Sequence, residues 1–412
     1  MNVRRLYHTA RGIQGLAGTE YDSDVSPSLR RRLWLWRRGF LSRSDAIYDI
    51  DNHRVQDYIT DYQRYVRTKR INGTWSVALS NKLLFHRVMQ PFDDERMTVY
   101  GMVNNGSFHA TDTDGARLST DGGVQSPSSV DSPHTNNAHT DTPHADTPHT
   151  NNAAQRVVEQ LECDGKLVLK WVRGGGGNNV YLCSQTEDGY RVNGEHYADA
   201  EFRSLVSNLS EYLVCEHVEQ GPFPADLYPK TPNTLRLITM YDEESHEPFI
   251  AAGIHRIGTT DSEPLDNFTQ GGLSAEIDLD TGELGPGARP PNAESGADVD
   301  SSSGSVSGSV SGSGSGSGQG AVSWHTTHPD TGAQIEGKHI PNWEGIRSRV
   351  LEMASSASFL PYIGWDVIVT DDDGSFSVIE ANSYPGLKSI QVHGPLLTDN
   401  RVRRFYERHG VC

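Results

Sequence analysis

The chain predicts an α+β fold, and three observations carry that reading. Eight short runs rich in β-branched and aromatic residues lie between residues 167 and 382, separated by turn-forming residues. Helix-period segments near 199–210 and 342–357 intervene among them. Only 35% of the 412 residues are hydrophobic, too few for the whole length to be packed core.

Residues 1–110 read as a mainly helical N-terminal region. In the run 56–70, Tyr58, Ile59, Tyr62 and Val66 recur at helical spacing, and in 81–92 Leu84, Phe85 and Val88 share a face. Upstream, LRRRLWLWRRGF at 29–40 admits two readings. Its Arg and Trp suit nucleic acid, an anionic membrane or a protein partner. The expected reading is a helix burying Leu33, Trp34 and Leu35 while its arginines solvate or pair, since one short basic stretch in an acidic chain carries little weight.

Residues 111–153 are a polar insert expected to be disordered. Its four His recur every five residues from His134, which suits either a metal-binding tract or a solvated repeat, and the solvated repeat is expected. From residue 154 the pattern becomes strands, at 167–172, 179–183, 212–218, 235–241, 248–257, 273–279, 365–370 and 376–382. A smaller subdomain over 154–225 and a larger one over 226–412 are expected. A second disordered insert, the Gly/Ser run from about 286 to 320, would interrupt the larger one.

Composition limits the function. Lys plus Arg total 36 against 54 Asp plus Glu, a net charge of −18 that disfavours a general polyanion binder, so no nucleic-acid partner is expected. Seven of the 36 cations are Lys, and this scarcity beside many carboxylates suits a surface that stays hydrated in concentrated salt. A halophilic, cytoplasmic protein is expected. No apolar run approaches the ~18 residues of a membrane span, and no apolar leader opens the chain. Cys163, Cys183, Cys215 and Cys412 lack the close spacing of a zinc site or disulfide framework.

Two constellations carry chemistry. Lys170 ends a strand and is followed by Arg173 and the run Gly174, Gly175, Gly176 and Gly177, whose amides can approach an anion, although a ligand-free hairpin turn fits equally. In GWDVIVTDDDGSFSVIEANSYPGL at 364–387, two strands flank a turn. Glu380 and Asn382, two apart, share one face, and Asp366 on the other strand can stand across from them. Two carboxylates and an amide oxygen make a hard-oxygen site for Mg²⁺, or Mn²⁺, held with phosphates. The alternative is a strand ending in polar residues. Arg236 and Arg256 lie on strands between these pieces, with Asn267, Gly271 and Gly272 following. An Arg can grip phosphate oxygens with two N–H groups, but its usual fate is a surface ion pair.

In this order, Lys170 with the Gly run, Glu216, Arg236, Arg256, Asn267–Gly271–Gly272, Asp366, Glu380–Asn382 and Pro385–Gly386–Leu387, the residues resemble the ATP-grasp ligases. The longer stretches at 213–240, 266–286, 325–332 and 379–407 are similar to the sugar-transfer-associated branch, related to α-L-glutamate ligases. The resemblance implies an ATP-grasp fold, two α+β subdomains clamping ATP, with an ADP-forming C–N ligase activity through an acyl phosphate, a thiol or hydroxyl acceptor in place of the amine staying open. It implies that Asp366, Glu380 and Asn382 hold the metal. Lys82, Lys170 and Gly174 to Gly177 would hold phosphates, and Glu216 or Glu219 the ribose. Arg236, Arg256 and Asn267 would face the transferring phosphoryl group. The carboxylate and amine would be small molecules or glycan precursors. His393 and Lys388 line either the acceptor side or ordinary loop packing. Asn233 stands where the protein-modifying branch has Asp, which points to a different substrate side. A small-molecule kinase and a non-catalytic nucleotide-binding module are the alternatives.

Overall fold

The computed structural model describes residues 3–21, 23, 25–111, 152–173, 179–291 and 321–412. Most of both inserts and Gly174 to Gly177 lie outside the described residues. The chain divides into a smaller unit, Thr98–Trp171 with Tyr181–His217, and a larger one, Met1–Met97 with Val172–Val180 and Val218–Cys412.

The smaller unit is built on β1 (Val99–Asn104), β2 (Ser107–Ala110), β3 (Lys166–Trp171), β4 (Val180–Thr186), β5 (Gly189–Val192), β6 (Glu195–Tyr197) and β7 (Ser210–Glu216), in the order β2-β1-β7-β3-β4-β5-β6. The helix Ala153–Asp164 packs Val157, Val158 and Leu161 into its core. Asn152 caps the helix by accepting from Gln155 N at 3.2 Å, and Gly165 ends it at φ 74°. Strands β1 and β2 fall inside the stretch that predicts mainly helix. Val99, Gly101 and Val103 alternate inward, a period of two that six residues express too briefly to stand out from the helical pattern upstream. A Cβ on Gly101 would meet Phe108 Cζ at 2.5 Å, so only glycine allows this hairpin to close.

The larger unit carries β8 (Leu235–Asp242), β9 (Glu247–Ile257), β10 (Leu273–Ile277), β11 (Leu284–Arg289), β12 (Ser323–His325), β13 (Tyr362–Val369) and β14 (Phe376–Asn382), in the order β12-β11-β10-β9-β8-β13-β14. Neighbouring strands pair antiparallel throughout. Strand β11 corrects one expectation, because its residues overlap the start of the proposed Gly/Ser insert. Pairing with β10 and β12 satisfies a backbone that the sequence, rich in Gly and Pro, makes look like linker.

Alternation along β8 and β13 sends Leu235, Leu237, Trp365 and Val367 to one face. There they pack on Ile346, Val350 and Met353 of the helix Trp343–Ser356. The opposite face sends Ile238, Met240 and Tyr362 against Val402, Phe405 and Tyr406 of the helix Asn400–Arg408. Arg236 and Asp366 lie on this second face, beyond the edge of its apolar part.

The N-terminal residues of the larger unit form a 19-residue helix, Val3–Tyr21, followed by short helical pieces. The expected helix over 56–70 is interrupted at 58–60, leaving the turn Val55–Asp57 and a helical run over 61–70 that widens at Gln63–Arg67 and tightens at Thr68–Arg70. In the interruption the Ile59 backbone is clamped by Gln391, whose amide accepts from Ile59 N at 2.8 Å and donates to Ile59 O at 2.9 Å. A tertiary partner takes hydrogen bonds a helix would have used. Helix Lys82–Val88 forms as expected, with Phe85 buried, but Leu84 is exposed. Helix Leu29–Trp36 buries only Leu35, while Arg31 pairs with Asp45 at 2.6 Å and Arg32 with Glu20 at 3.4 Å. Among the described residues, no helix is long and apolar enough to cross a membrane.

Candidate active site

Cross-strand register assembles the site on the larger unit. Asp366 on β13 stands opposite Arg236 on β8 and opposite Glu380 on β14, so three charged side chains form one row across three strands. Gly364 stands opposite Asn382, which places Asn382 on the face of Glu380, as the period of two predicts. Arg256 on β9 donates its backbone N–H to Thr234 O at 2.8 Å, two register positions from Arg236.

The guanidinium of Arg236 spans the Asp366 carboxylate, Nε to one oxygen and Nη2 to the other, the latter at 2.8 Å. Arg256 Nη1 lies 3.7 Å from Asp366 Oδ2, and Asn382 Nδ2 donates to the same oxygen at 3.3 Å. Lys82, at the first turn of its helix, puts Nζ 3.8 Å from Glu380 Oε2. The helix entry is set by Asn81, which accepts from Leu83 N and Leu84 N at 3.1 and 3.0 Å.

Electrostatics follow this geometry. Burial opposes ionisation of Asp366, but the charges of Arg236 and Arg256 outweigh it and hold its pKa below the ordinary carboxylate value. Burial also opposes the charge of Arg236, and the Asp366 carboxylate overrides it, raising the Arg236 pKa. Asp266 is the contrasting case. It is buried, accepts from Thr234 N at 2.9 Å and from Arg256, yet burial still raises its pKa.

The row brings together five of the sequence-derived candidates, Arg236, Asp366, Glu380, Asn382 and Lys82, with Arg256 beside them. Asn267 is used differently. Its Oδ1 accepts from Thr269 N at 3.2 Å and Thr269 Oγ1 at 3.1 Å, so it caps the turn Phe268–Gln270 that ends at Gly271, φ 103°. Gly272 N closes the same turn on Asn267 O at 3.0 Å. In the smaller unit, Lys170 sits on β3 opposite Leu213, and Glu216 ends β7, where its carboxylate accepts from Thr98 N at 2.9 Å. Glu219 belongs to the larger unit, just before the helix Pro222–Leu227.

Asn233, read from sequence as a mark of altered substrate choice, is a buried structural node. Its Nδ2 donates to Gln220 Oε1, Pro224 O and Tyr228 O at 3.0, 2.8 and 2.6 Å, and its Oδ1 accepts from Gly258 N at 2.9 Å. A carboxylate there has no proton to give these oxygens.

Two neighbours of Arg256 escape a reading of the sequence. Asp266 immediately precedes Asn267 in the DNFTQGG run, but its contact with Arg256 depends on how the loop folds back over β9. Ser274 stands opposite Arg256 on β10, and its hydroxyl donates to Ser389 O at 2.6 Å. A hydroxyl has one proton, so its contact with His393 Nε2 at 3.0 Å places the imidazole as donor through Nε2. Burial pushes the His393 pKa down to about 4, which favours the neutral ring. Lys388 is buried at the start of the short helix Lys388–Gln391.

The donor set Asp366, Glu380 and Asn382 fits a hard divalent cation in its chemistry, two carboxylates and an amide. No cluster of three His, Cys, Asp or Glu that could hold a metal occurs among the described residues. A cation reaching Asp366 would have to share it with the fork of Arg236.

Comparison with known proteins follows this geometry. No protein of curated function matches the chain. Solved structures similar to it include a D-alanyl-alanine synthetase A from Vibrio cholerae, at 10% identity and TM-score 0.36 over 80% of this chain and 65% of that one. A D-alanine-D-alanine ligase from Coxiella burnetii aligns at 11% identity and TM-score 0.32, over 81% of this chain and 59% of that one. An ADP complex of an N5-carboxyaminoimidazole ribonucleotide synthetase aligns at 10% identity and TM-score 0.34, over 75% of this chain and 46% of that one. The chain thus spans between about half and two thirds of the length of these three. The model of sugar-transfer associated ATP-grasp proteins matches residues 116–298 and 294–404, well over half of the sequence, and the chain belongs to that family.

Proposed function

We propose that the protein is an ATP-dependent ligase that joins a carboxylate to an amine through an acyl phosphate. The observation that most supports this is the row of Arg236, Asp366 and Glu380, flanked by Arg256 and Lys82. Three cations and two carboxylates at one end of a sheet suit a reaction in which phosphoryl charge must be held and moved.

In the first step a carboxylate oxygen attacks the γ-phosphorus of ATP, the bond to the β–γ bridging oxygen breaks, and ADP leaves. In the second an amine attacks the acyl carbon and phosphate departs, taking the proton the amine loses. Arg236 and Arg256 face the phosphoryl group in transfer, and Lys82 steadies the same charge. Asp366, Glu380 and Asn382 would hold Mg²⁺ or Mn²⁺, which when bound would neutralise phosphate charge. Asn267 serves by shaping the turn behind Arg256. Lys170 and the amides of Gly174 to Gly177 are assigned to the α- and β-phosphates and Glu216 or Glu219 to the ribose, as the family resemblance implies. His393, a neutral imidazole beside Ser274, lies on the acceptor side. The carboxylate and amine are small molecules or glycan and surface-polymer precursors.

The test is incubation with Mg·ATP in concentrated salt and a panel of amino acids, amino sugars and sugar nucleotides. A ligase releases ADP only with a carboxylate and an amine together, and the product mass equals their sum less water. ADP release that needs no amine, with a stable phosphorylated product, makes the enzyme a kinase. ATP binding with no turnover on any pair makes it a nucleotide-binding module. The net charge of −18 with seven Lys supports a salt-adapted protein, whose melting temperature falls on transfer to dilute buffer. An unchanged melting temperature overturns that part.

A further inference from the structure

We propose that helix Leu29–Trp36 is a docking surface for an anionic lipid bilayer. The inference is independent of the ligase reading, since none of its residues belongs to the candidate active site, and the family match begins only at residue 116.

The helix is held in one orientation from its inner side. Leu35 is fully buried in a cluster with Phe40, Ile47, Tyr48 and Tyr58. Ser28 caps the helix by accepting from Arg31 N at 3.3 Å. Arg31 grips Asp45 through Nε at 3.0 Å and Nη2 at 2.6 Å, and Arg32 reaches Glu20 at 3.4 Å. What faces outward is therefore set by the fold.

The outward side is apolar. Leu29, Leu33 and Trp36 are 72%, 49% and 46% exposed, and their spacing of four and then three residues puts them on one stripe. On a globular surface a Leu, Leu, Trp stripe gains nothing from water, whereas at a lipid headgroup boundary such side chains bury their apolar bodies. Cations flank it. Residues 29–38 hold five Arg and no Asp or Glu, in a chain of net charge −18. Arg30 and Arg37 are exposed and form no ion pair among the described residues, and the guanidinium of Arg38 lies 4.1 Å from the Trp34 ring centroid. Long Arg side chains can lie along an apolar boundary while their charge reaches phosphate.

Charge complementarity selects the occupant. A symmetric contact with a second copy would set the five arginines against themselves. A nucleic acid would use the arginines but leave the Leu stripe in water. An anionic bilayer satisfies both. The acidic remainder of the chain is repelled by the same surface, so the patch also orients the protein on it.

The experiment sediments the full chain with vesicles of phosphatidylglycerol and phosphatidylcholine, and with phosphatidylcholine alone, at a salt concentration that preserves its melting temperature. Binding to the anionic vesicles at least about tenfold stronger than to the neutral ones is expected. Each cation near such a surface is worth about fivefold in partition at physiological ionic strength and less as salt screens it, so R30Q/R37Q weakens binding by up to roughly 25-fold. L33D/W36D, which alters only exposed positions, abolishes binding with an unchanged melting temperature. The proposal fails if anionic vesicles do not sediment the chain, if neutral vesicles bind equally, or if L33D/W36D still binds. It fails equally if L33D/W36D instead removes self-association or RNA binding seen in the parent chain.

Discussion

Arg236 and Asp366 face each other across β8 and β13, and both ends of the guanidinium fork engage the carboxylate. Both residues are buried, so each charge depends on the other. R236M strands the Asp366 charge, and the loss of stability should be about 3–5 kcal/mol in denaturant unfolding. Replacing both partners, as R236M/D366L, should recover much of that loss, because two apolar groups leave no charge to desolvate. Both variants should lack ATP turnover, which separates the pair's chemistry from its stability.

Glu380 is the more accessible carboxylate of the row, contacted by Lys82 at 3.8 Å. Glu380→Gln keeps its shape and removes its charge. ATP turnover should fall at least about 100-fold, the scale of losing one electrostatic group at such a centre, with the melting temperature unchanged. Near-normal turnover would overturn the proposed metal role of Glu380.

N233D tests whether this position serves substrate choice or structure. Three acceptors now served by Asn233 Nδ2 would face a carboxylate. Each unmet buried bond costs about 1–3 kcal/mol, so the variant should be strongly destabilised in thermal melts. An intact melting temperature with changed substrate preference would restore the substrate reading.

Acid should weaken the fold through buried histidines. Burial lowers the pKa of His255 to about 3 and of His86 to about 4. An unfolded His titrates near 6.5, so each group's stabilising effect is present above pH ~6.5 and is lost as pH falls toward the folded value. The slope is about 1.4 kcal/mol per pH unit for each group. His255 stacks on Phe223 at 5.5 Å, so H255F keeps the ring and should flatten the curve between pH 6 and 4 by one group's share. Unfolding free energies across that range provide the check, and an unchanged slope would exclude His255 as a source.

Several elements were legible because their cause is local. The strands around Leu167, Leu235, Trp365 and Phe376 announce themselves through β-branched and aromatic runs. The shared face of Glu380 and Asn382 follows from a period of two. The hairpin turn at 371–374 brings Asp366 opposite Glu380 with little else required. Relationships set by distant register were not legible. The Asp266 contact with Arg256 needs the loop after β9, and Lys82 meets Glu380 nearly 300 residues along the chain. Helix pattern misled at 56–60, where Gln391 captures the Ile59 backbone, and at 99–110, where two strands join a seven-stranded sheet.

The sequence by itself determined the α+β character, the acidic and Lys-poor surface, and the order of charged residues that marks the family. These rest on composition and on periods of two and three to four residues, which the chain carries wherever it goes. Only the tertiary structure decided that Arg236 grips Asp366, that Asn233 is a structural node, and that Leu33 and Trp36 of an Arg-rich helix face outward. Each depends on which strand or helix packs beside it, and a buried charge or an exposed apolar side chain acquires its energy from those neighbours.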